Sequence, residues 1–298
     1  MSEFINKRDF LAIVTVTKAN PNGDPLNGNR PREDSDGYGE ISDVCIKRKI
    51  RNRLQDMGER IFVQSDERCD DGMNSLKARA DSVEGLKTAL KNKDKDKYAE
   101  IACSTWFDVR AFGQVFAFKS DKKSDKKSDN VSVGVRGPVS VHSGVSVVPV
   151  DITSLQITKS VNSETKKKND EEVEGKSSDT MGMKHRVEFG VYIIKGSINQ
   201  QLASKTGFSD EDAEKIKEAL KTLFENDASS ARPDGSMEVK QLYWWKHNCK
   251  MGQYSSAKVH NSVKVSVKND VLSPKCFEDF DVQYNPLEGL ECEIIEGR

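Results

Sequence analysis

A chain of 298 residues with 35% hydrophobic and 32% charged residues is globular in composition and long enough to bury a real core, in one large domain or two ordinary ones. No apolar run approaches bilayer-spanning length and Met1–Phe10 carries no charged-then-apolar signal, so the expectation is a cytoplasmic protein with no membrane partner. Six scattered cysteines without a C-x-x-C pair indicate neither a zinc site nor a disulfide framework.

Phe10–Thr17 is a run of β-formers that stops at the turn cluster Asn20-Pro21-Asn22-Gly23, which predicts a first strand. From Asn20 to Gly39, fourteen of twenty residues are Asn, Asp, Gly or Pro. A helix should follow, with Ser42 as N-cap, Ile41 packing on Ile46, and Ile46, Ile50, Leu54 and Met57 as its core face. Lys47, Arg48 and Arg51 then fall on the far side, with Lys49 and Arg53 snorkelling from the flanks. Residues 65–107 read as a helical and irregular insertion, and Asp108–Phe118 as a strand. The 119–130 stretch repeats a short polar unit with nothing to bury and predicts a mobile loop. Val131–Val150 reads as extended.

A second polar excursion, 159–184, leaves a strand at Ile152–Thr158 and returns into one at Arg186–Lys195. Ser209–Asn226 has the clearest helical pattern, with Ser209 and Asp212 spaced as a capping box, and Met237–Tyr243 predicts another strand. Between Val239 and Lys268 there are six lysines, two histidines and no acid, whereas Phe277–Glu296 carries seven acids and no Lys or Arg. The net charge of −1 therefore conceals two opposed segments. Ile295–Arg298 spells I-E-G-R, a protease site familiar from engineering, and is set aside. The element order predicts an α+β fold, a ferredoxin-like sheet enlarged by insertions within a single domain, 1–298.

Candidate chemistry is sparse. The acids Asp24, Asp34, Asp36 and Asp43 do not fit a calcium loop, because Pro25 and Pro31 stand where its glycine and glutamate belong. Val133–Pro138 is too short for a dinucleotide fingerprint, the four histidines lack ligand spacing, and of the adjacent Trp244 and Trp245 at least one should be core. The cationic helix stands out, since Val44–Gln55 contains no acid. Phosphate would supply that countercharge, and the preceding loop offers glycines for close approach, asparagine amides, and the planar donors of Arg30 and Arg32.

N-P-N-G-D-P-L-N-G-N-R-P-R, followed by G-Y-G-E-I-S-D-V-C-I-K-R-K-I-R-N, resembles the start of the backbone subunit of type I-C CRISPR Cascade complexes, a member of the RAMP superfamily. The likeness continues at D-V-R-A-F-G, V-R-G-P-V-S, S-L-Q-I-T-K-S-V-N, D-T-M-G-M-K-H and W-W-K-H-N. It implies an RRM-like palm with finger insertions (65–107) and a β-hairpin thumb (159–184), polymerising along CRISPR RNA and presenting the guide to target DNA. The implied RNA contacts are Asn20, Asn22, Asn27, Arg30, Arg32, Lys47, Arg48, Arg51, Arg110, Arg136, Lys159, Met181 and Lys184. Of the thumb methionines, Met181 is expected to wedge between bases and Met183 to pack on the palm. The acids Asp170, Glu171, Glu172 and Glu174 should turn the thumb tip from phosphate toward a neighbouring copy. Implied partners are further copies of the chain, the large subunit, the guide-processing endoribonuclease and the recruited helicase-nuclease. No cofactor, metal or catalytic residue is expected. The competing reading is a metal-dependent endoribonuclease using Asp24 or Asp34.

Overall fold

The structure, a computed structural model, describes residues 2–117, 132–158, 166–168, 171–173 and 181–298. The 119–130 loop, Lys159 and most of the 159–184 excursion lie outside them. Strand β1 (Arg8–Ala19) sends Phe10, Ala12, Val14 and Val16 into one core and Leu11 and Ile13 into another. Alternate strand residues face opposite ways, so its nearly unbroken apolar run reflects a sheet covered on both sides. The chain then forms β2 (Gly23–Asp24), β3 (Arg30–Pro31) and β4 (Tyr38–Ile41) before helix α1 (Asp43–Asp56). Ser42 caps α1 by accepting the Cys45 N–H, and Ile46, Ile50 and Leu54 form the buried stripe.

Helices α2 (Leu76–Asp81), α3 (Glu84–Lys91), α4 (Lys95–Thr105) and α5 (Phe107–Phe112) follow. Ala80, Leu86, Ala89, Tyr98 and Ala102 join Phe62, Trp106, Phe116 and Val133 in a small core of their own. The strand expected at Asp108–Phe118 is corrected here: Asp108–Phe112 complete α5, and only β5 (Gly113–Phe116) is extended. Gly113 makes the switch at φ +81°, where a Cβ would stand 2.4 Å from the Val135 carbonyl oxygen.

Next come β6 (Val133–Arg136), β7 (Val139–Val141), β8 (Gly144–Pro149) and β9 (Ile152–Thr158). A backbone hairpin of β10 (Lys166–Lys168) and β11 (Glu171–Val173) precedes the 18-residue β12 (Met181–Ile198). Its register sets Lys167 opposite Glu172 and Lys168 opposite Glu171. Then follow α6 (Gln200–Thr206), α7 (Asp210–Lys221) with its reciprocal Ser209/Asp212 capping box, β13 (Met237–Lys246), α8 (Ser256–His260), the paired β14 (Val263–Val267) and β15 (Phe280–Tyr284), and β16 (Glu291–Glu296).

The fold is mixed α+β around a main antiparallel sheet, ordered β16-β13-β1-β12-β8-β4. Helices α1, α5, α6 and α7 cover one face, and α8 with the β14–β15 pair covers the other. Trp244 and Trp245, neighbours on β13, enter opposite cores and are 1% and 0% exposed, so neither is a stacking platform. Ile295, set aside with the engineered-looking tail, pairs with Leu242 and packs on the core, so it belongs in the fold. No helix among the described residues is long and apolar enough to cross a membrane.

Candidate nucleic-acid interface

The cationic face expected on α1 does not stand free. Lys47 Nζ lies 3.0 Å from Asp43, one turn back. Arg48 Nη1 donates to the Val63 carbonyl at 2.6 Å. Arg51 Nε donates at 2.9 Å to Asp108, a fully buried carboxylate that also accepts the Phe62 and Val63 N–H groups at 2.7 and 3.1 Å. Lys49, expected to snorkel, is buried against Asp227, which also binds Arg232 at 3.0 Å. Burial pushes the Lys49 ammonium and the Arg48 guanidinium below their ordinary values, and Asp227 offsets this in part at Lys49. The missing acids thus come from elsewhere in the chain, and phosphate is not required to explain the segment. Arg110 is likewise committed, holding Asp212 through two bonds of 2.9 and 2.8 Å and so tying α5 to the cap of α7.

The Asn20–Arg32 loop is braced from within. Buried Asn20 donates Nδ2 to the Asn29 carbonyl at 2.6 Å, and Asn22 Oδ1 accepts from the Ser42 amide and hydroxyl at 2.9 and 2.8 Å. These two amides fix the loop instead of facing outward, which corrects their expected role. Asp24 Oδ1 accepts from the Leu26 N–H at 3.2 Å and from Arg32 Nη2 at 3.3 Å. Asp34 accepts from the Asp36 and Tyr38 amides, each at 2.9 Å. Both aspartates weighed for metal chemistry therefore cap turns. Gly28 and Asn29 take left-handed conformations, φ +57° and +61°, that bend the tip back. What the loop exposes is its tip, Pro25 to Asn29, with Leu26 98% accessible.

Beyond the sheet edge, β9 and residues 181–186 of β12 continue as a two-stranded ribbon, these β12 residues pairing among the described residues with β9 alone. Opposed residues share a face, so Met181, Met183 and His185 lie with Thr158, Gln156 and Ser154. Leu155 and Ile157 share the other face with Lys184 and Gly182. All four large apolar side chains stand in solvent; Met183, expected to pack on the palm, is 54% exposed and Met181 is 61% exposed.

Loop and ribbon meet at one junction. Arg30 Nη1 donates to Ser154 Oγ at 3.3 Å, and Ser154 Oγ lies 2.8 Å from His185 Nδ1. Arg30 is thereby fixed against the methionine-bearing face. Arg32 and Asn27 belong to the same loop, Lys184 is half-buried on the opposite face of the ribbon, and Arg136 is exposed on β6, a strand that packs on the smaller core. Sequence reasoning missed Leu26, Ser154 and His185. For Leu26 a signal existed, because an isolated leucine among turn residues has no periodic partner with which to be buried; for Ser154 there was none.

A family model described as CRISPR-associated protein Cas7 matches residues 6–285. A CRISPR-associated protein Cas7 from Haloferax volcanii is 26% identical over 223 residues, 71% of this chain and 62% of its own length, so the chain spans under two thirds of that relative. A solved CRISPR RNA-guided surveillance complex contains a chain aligning over 80% of this one and 69% of its own length, with a TM-score of 0.43 and 14% identity. A CRISPR RNA-guided surveillance complex, pre-nicking, gives 0.44 and 17%, covering 80% and 76%. With the family model spanning nearly the whole length, the chain belongs to the CRISPR-associated protein Cas7 family.

Proposed function

We propose that the chain is a non-catalytic, RNA-binding backbone subunit of a type I-C CRISPR surveillance complex, which polymerises along CRISPR RNA and presents the guide to target DNA. The observation that carries this reading is the junction of a braced, Asn- and Arg-bearing loop with an uncovered ribbon whose near face holds Met181 and Met183. Bases need apolar surface to stack on and phosphates need donors, and the junction offers both in one place. The reading is supported by the order of the four central strands, β13-β1-β12-β8, which is the fourth-first-third-second order of a ferredoxin-like or RRM-like palm. In it, 65–107 is a finger insertion and 159–184 the thumb of a single domain.

Contacts to RNA come from Asn27, Arg30, Arg32, Met181, Met183 and Lys184, with Arg136 and Lys159 as further contacts. Arg48, Arg51 and Arg110 serve the fold. Partners are CRISPR RNA, target DNA, further copies, the large subunit, the guide-processing endoribonuclease and the helicase-nuclease, all in the cytoplasm.

The test is whether chain purified from cells carries RNA, read from absorbance at 260 against 280 nm, and binds added RNA with a salt-dependent affinity. Nucleic-acid-free protein that ignores RNA would sink the proposal. Magnesium-dependent cleavage of complementary RNA, lost in Asp24→Ala, would replace it with an enzyme.

A further inference from the structure

Single exposed leucines are ordinary on protein surfaces, and most carry no message. Leu26 differs in how it is held. Its own amide is capped by Asp24, the Asn29 N–H closes on the Asp24 carbonyl at 2.8 Å, Asn20 grips the Asn29 carbonyl, and Arg32 holds the Asp24 carboxylate. With two left-handed residues fixing the bend, the tip is kept from folding its leucine back onto the protein.

The surroundings say what such a tip would meet. Pro25, Asn27, Gly28 and Asn29 are exposed beside it, Arg30 on the returning strand and Arg32 just after it lie 3.5 Å from Glu33 and 3.3 Å from Asp24, and the loop exposes no second large apolar side chain. Protein hot spots are anchors set within a wider apolar patch. A lone apolar knob ringed by amides and guanidinium groups instead matches a nucleobase, whose face is apolar, whose edge bonds to amides and whose backbone is anionic.

We infer that Leu26 is a base-contacting wedge, its side chain stacking on or between bases of bound RNA while Asn27 and Arg30 hold the adjoining strand. The inference rests on the RNA-binding reading and adds to it a residue that acts on bases, not phosphates.

The experiment compares full-length parent, Leu26→Ser and Leu26→Phe by fluorescence anisotropy on a labelled mixed-sequence RNA and on the same strand carrying abasic positions, across a salt series. Leu26→Ser should weaken binding to the base-bearing strand about tenfold, the worth of one stacking contact, with an unchanged salt slope and no loss on the abasic strand. Leu26→Phe should match or exceed the parent, and thermal midpoints should agree. Equal affinity of parent and Leu26→Ser for base-bearing RNA, or an equal loss on both strands, overturns the wedge and leaves the RNA reading intact. So does a Leu26→Ser variant that changes self-association alone. A parent that binds neither strand overturns the RNA reading, and the wedge with it.

Discussion

Helix α1 turns its charges inward, and the ribbon of β9 and β12 turns its apolar side chains outward. Five basic residues on the helix, from Lys47 to Arg53, end on Asp43, the Val63 carbonyl, Asp227, Asp108 and the Asp56–Glu225 pair. On the ribbon, Leu155, Ile157, Met181 and Met183 are all exposed, with no core among the described residues to cover them. The inversion teaches that a run of like charge is a poor guide to a binding surface, because partners distant in the chain can consume it. Uncovered apolar groups are harder to explain without a ligand.

The largest effect should come from breaking the inward side. Arg51→Ala leaves the Asp108 carboxylate buried with two amide donors, no hydrogen-bonded cation and only the Arg48 guanidinium nearby, and should cost about 3 kcal/mol in urea unfolding. Stability equal to the parent's would return Arg51 to the RNA-contact set. On the outward side, Met181→Asp combined with Met183→Asp should leave stability within about 0.5 kcal/mol of the parent, since both residues are solvent-exposed. The same variant should weaken RNA binding roughly tenfold and erase periodic nuclease protection of a long guide; unchanged footprints would make the ribbon a mere loop.

Arg30→Ala should lower affinity severalfold and reduce the salt slope by about 1, with unfolding unaffected. A buried control comes from His260, whose Nε2 lies 3.0 Å from the Gly196 carbonyl. Burial pushes its imidazole below the ordinary value, and nearby Asp9 offsets only part of this. Its folded pKa is thus the lower one, and its contribution to stability, complete above the unfolded value near 6.5, falls away as pH drops below it. His260→Gln should flatten the thermal midpoint between pH 7 and pH 5. Smallest of all, Lys47→Ala removes a half-exposed pair and should cost about 0.3–0.5 kcal/mol with no change in RNA affinity.

What could be read from the string was whatever depends on near neighbours. Ser42 capping α1, the Ser209–Asp212 box and the apolar run of β1 are signals within a few residues, and each formed as expected. The fates of Lys49 and Arg51 were invisible because their acids lie 178 and 57 positions away. Asp108–Phe118 misled because the same valines and phenylalanines suit a buried helix or a strand; what marks the switch is Gly113, at positive φ and with Val135 passing too close to leave room for a side chain. Of the junction, Arg30 and Met181 were legible as residue types, but Ser154, which joins Arg30 to His185 on the methionine-bearing face, becomes visible only once the register of β9 on β12 is known.

That register has a mechanical side. Strand β12 runs unbroken for 18 residues, roughly 60 Å, from the ribbon to the centre of the sheet, where it is clamped by β1. It is a cantilever: a load at Met181 has no hinge in which to dissipate and arrives as torque on the Val187–Ile198 root. Amide exchange along this one strand should therefore form a ramp, fast from 181 to 186 and slow from Val187 onward. When a ligand seats on the ribbon, the ramp should flatten from its free end, which makes a single strand a ruler for how far along it the contact extends.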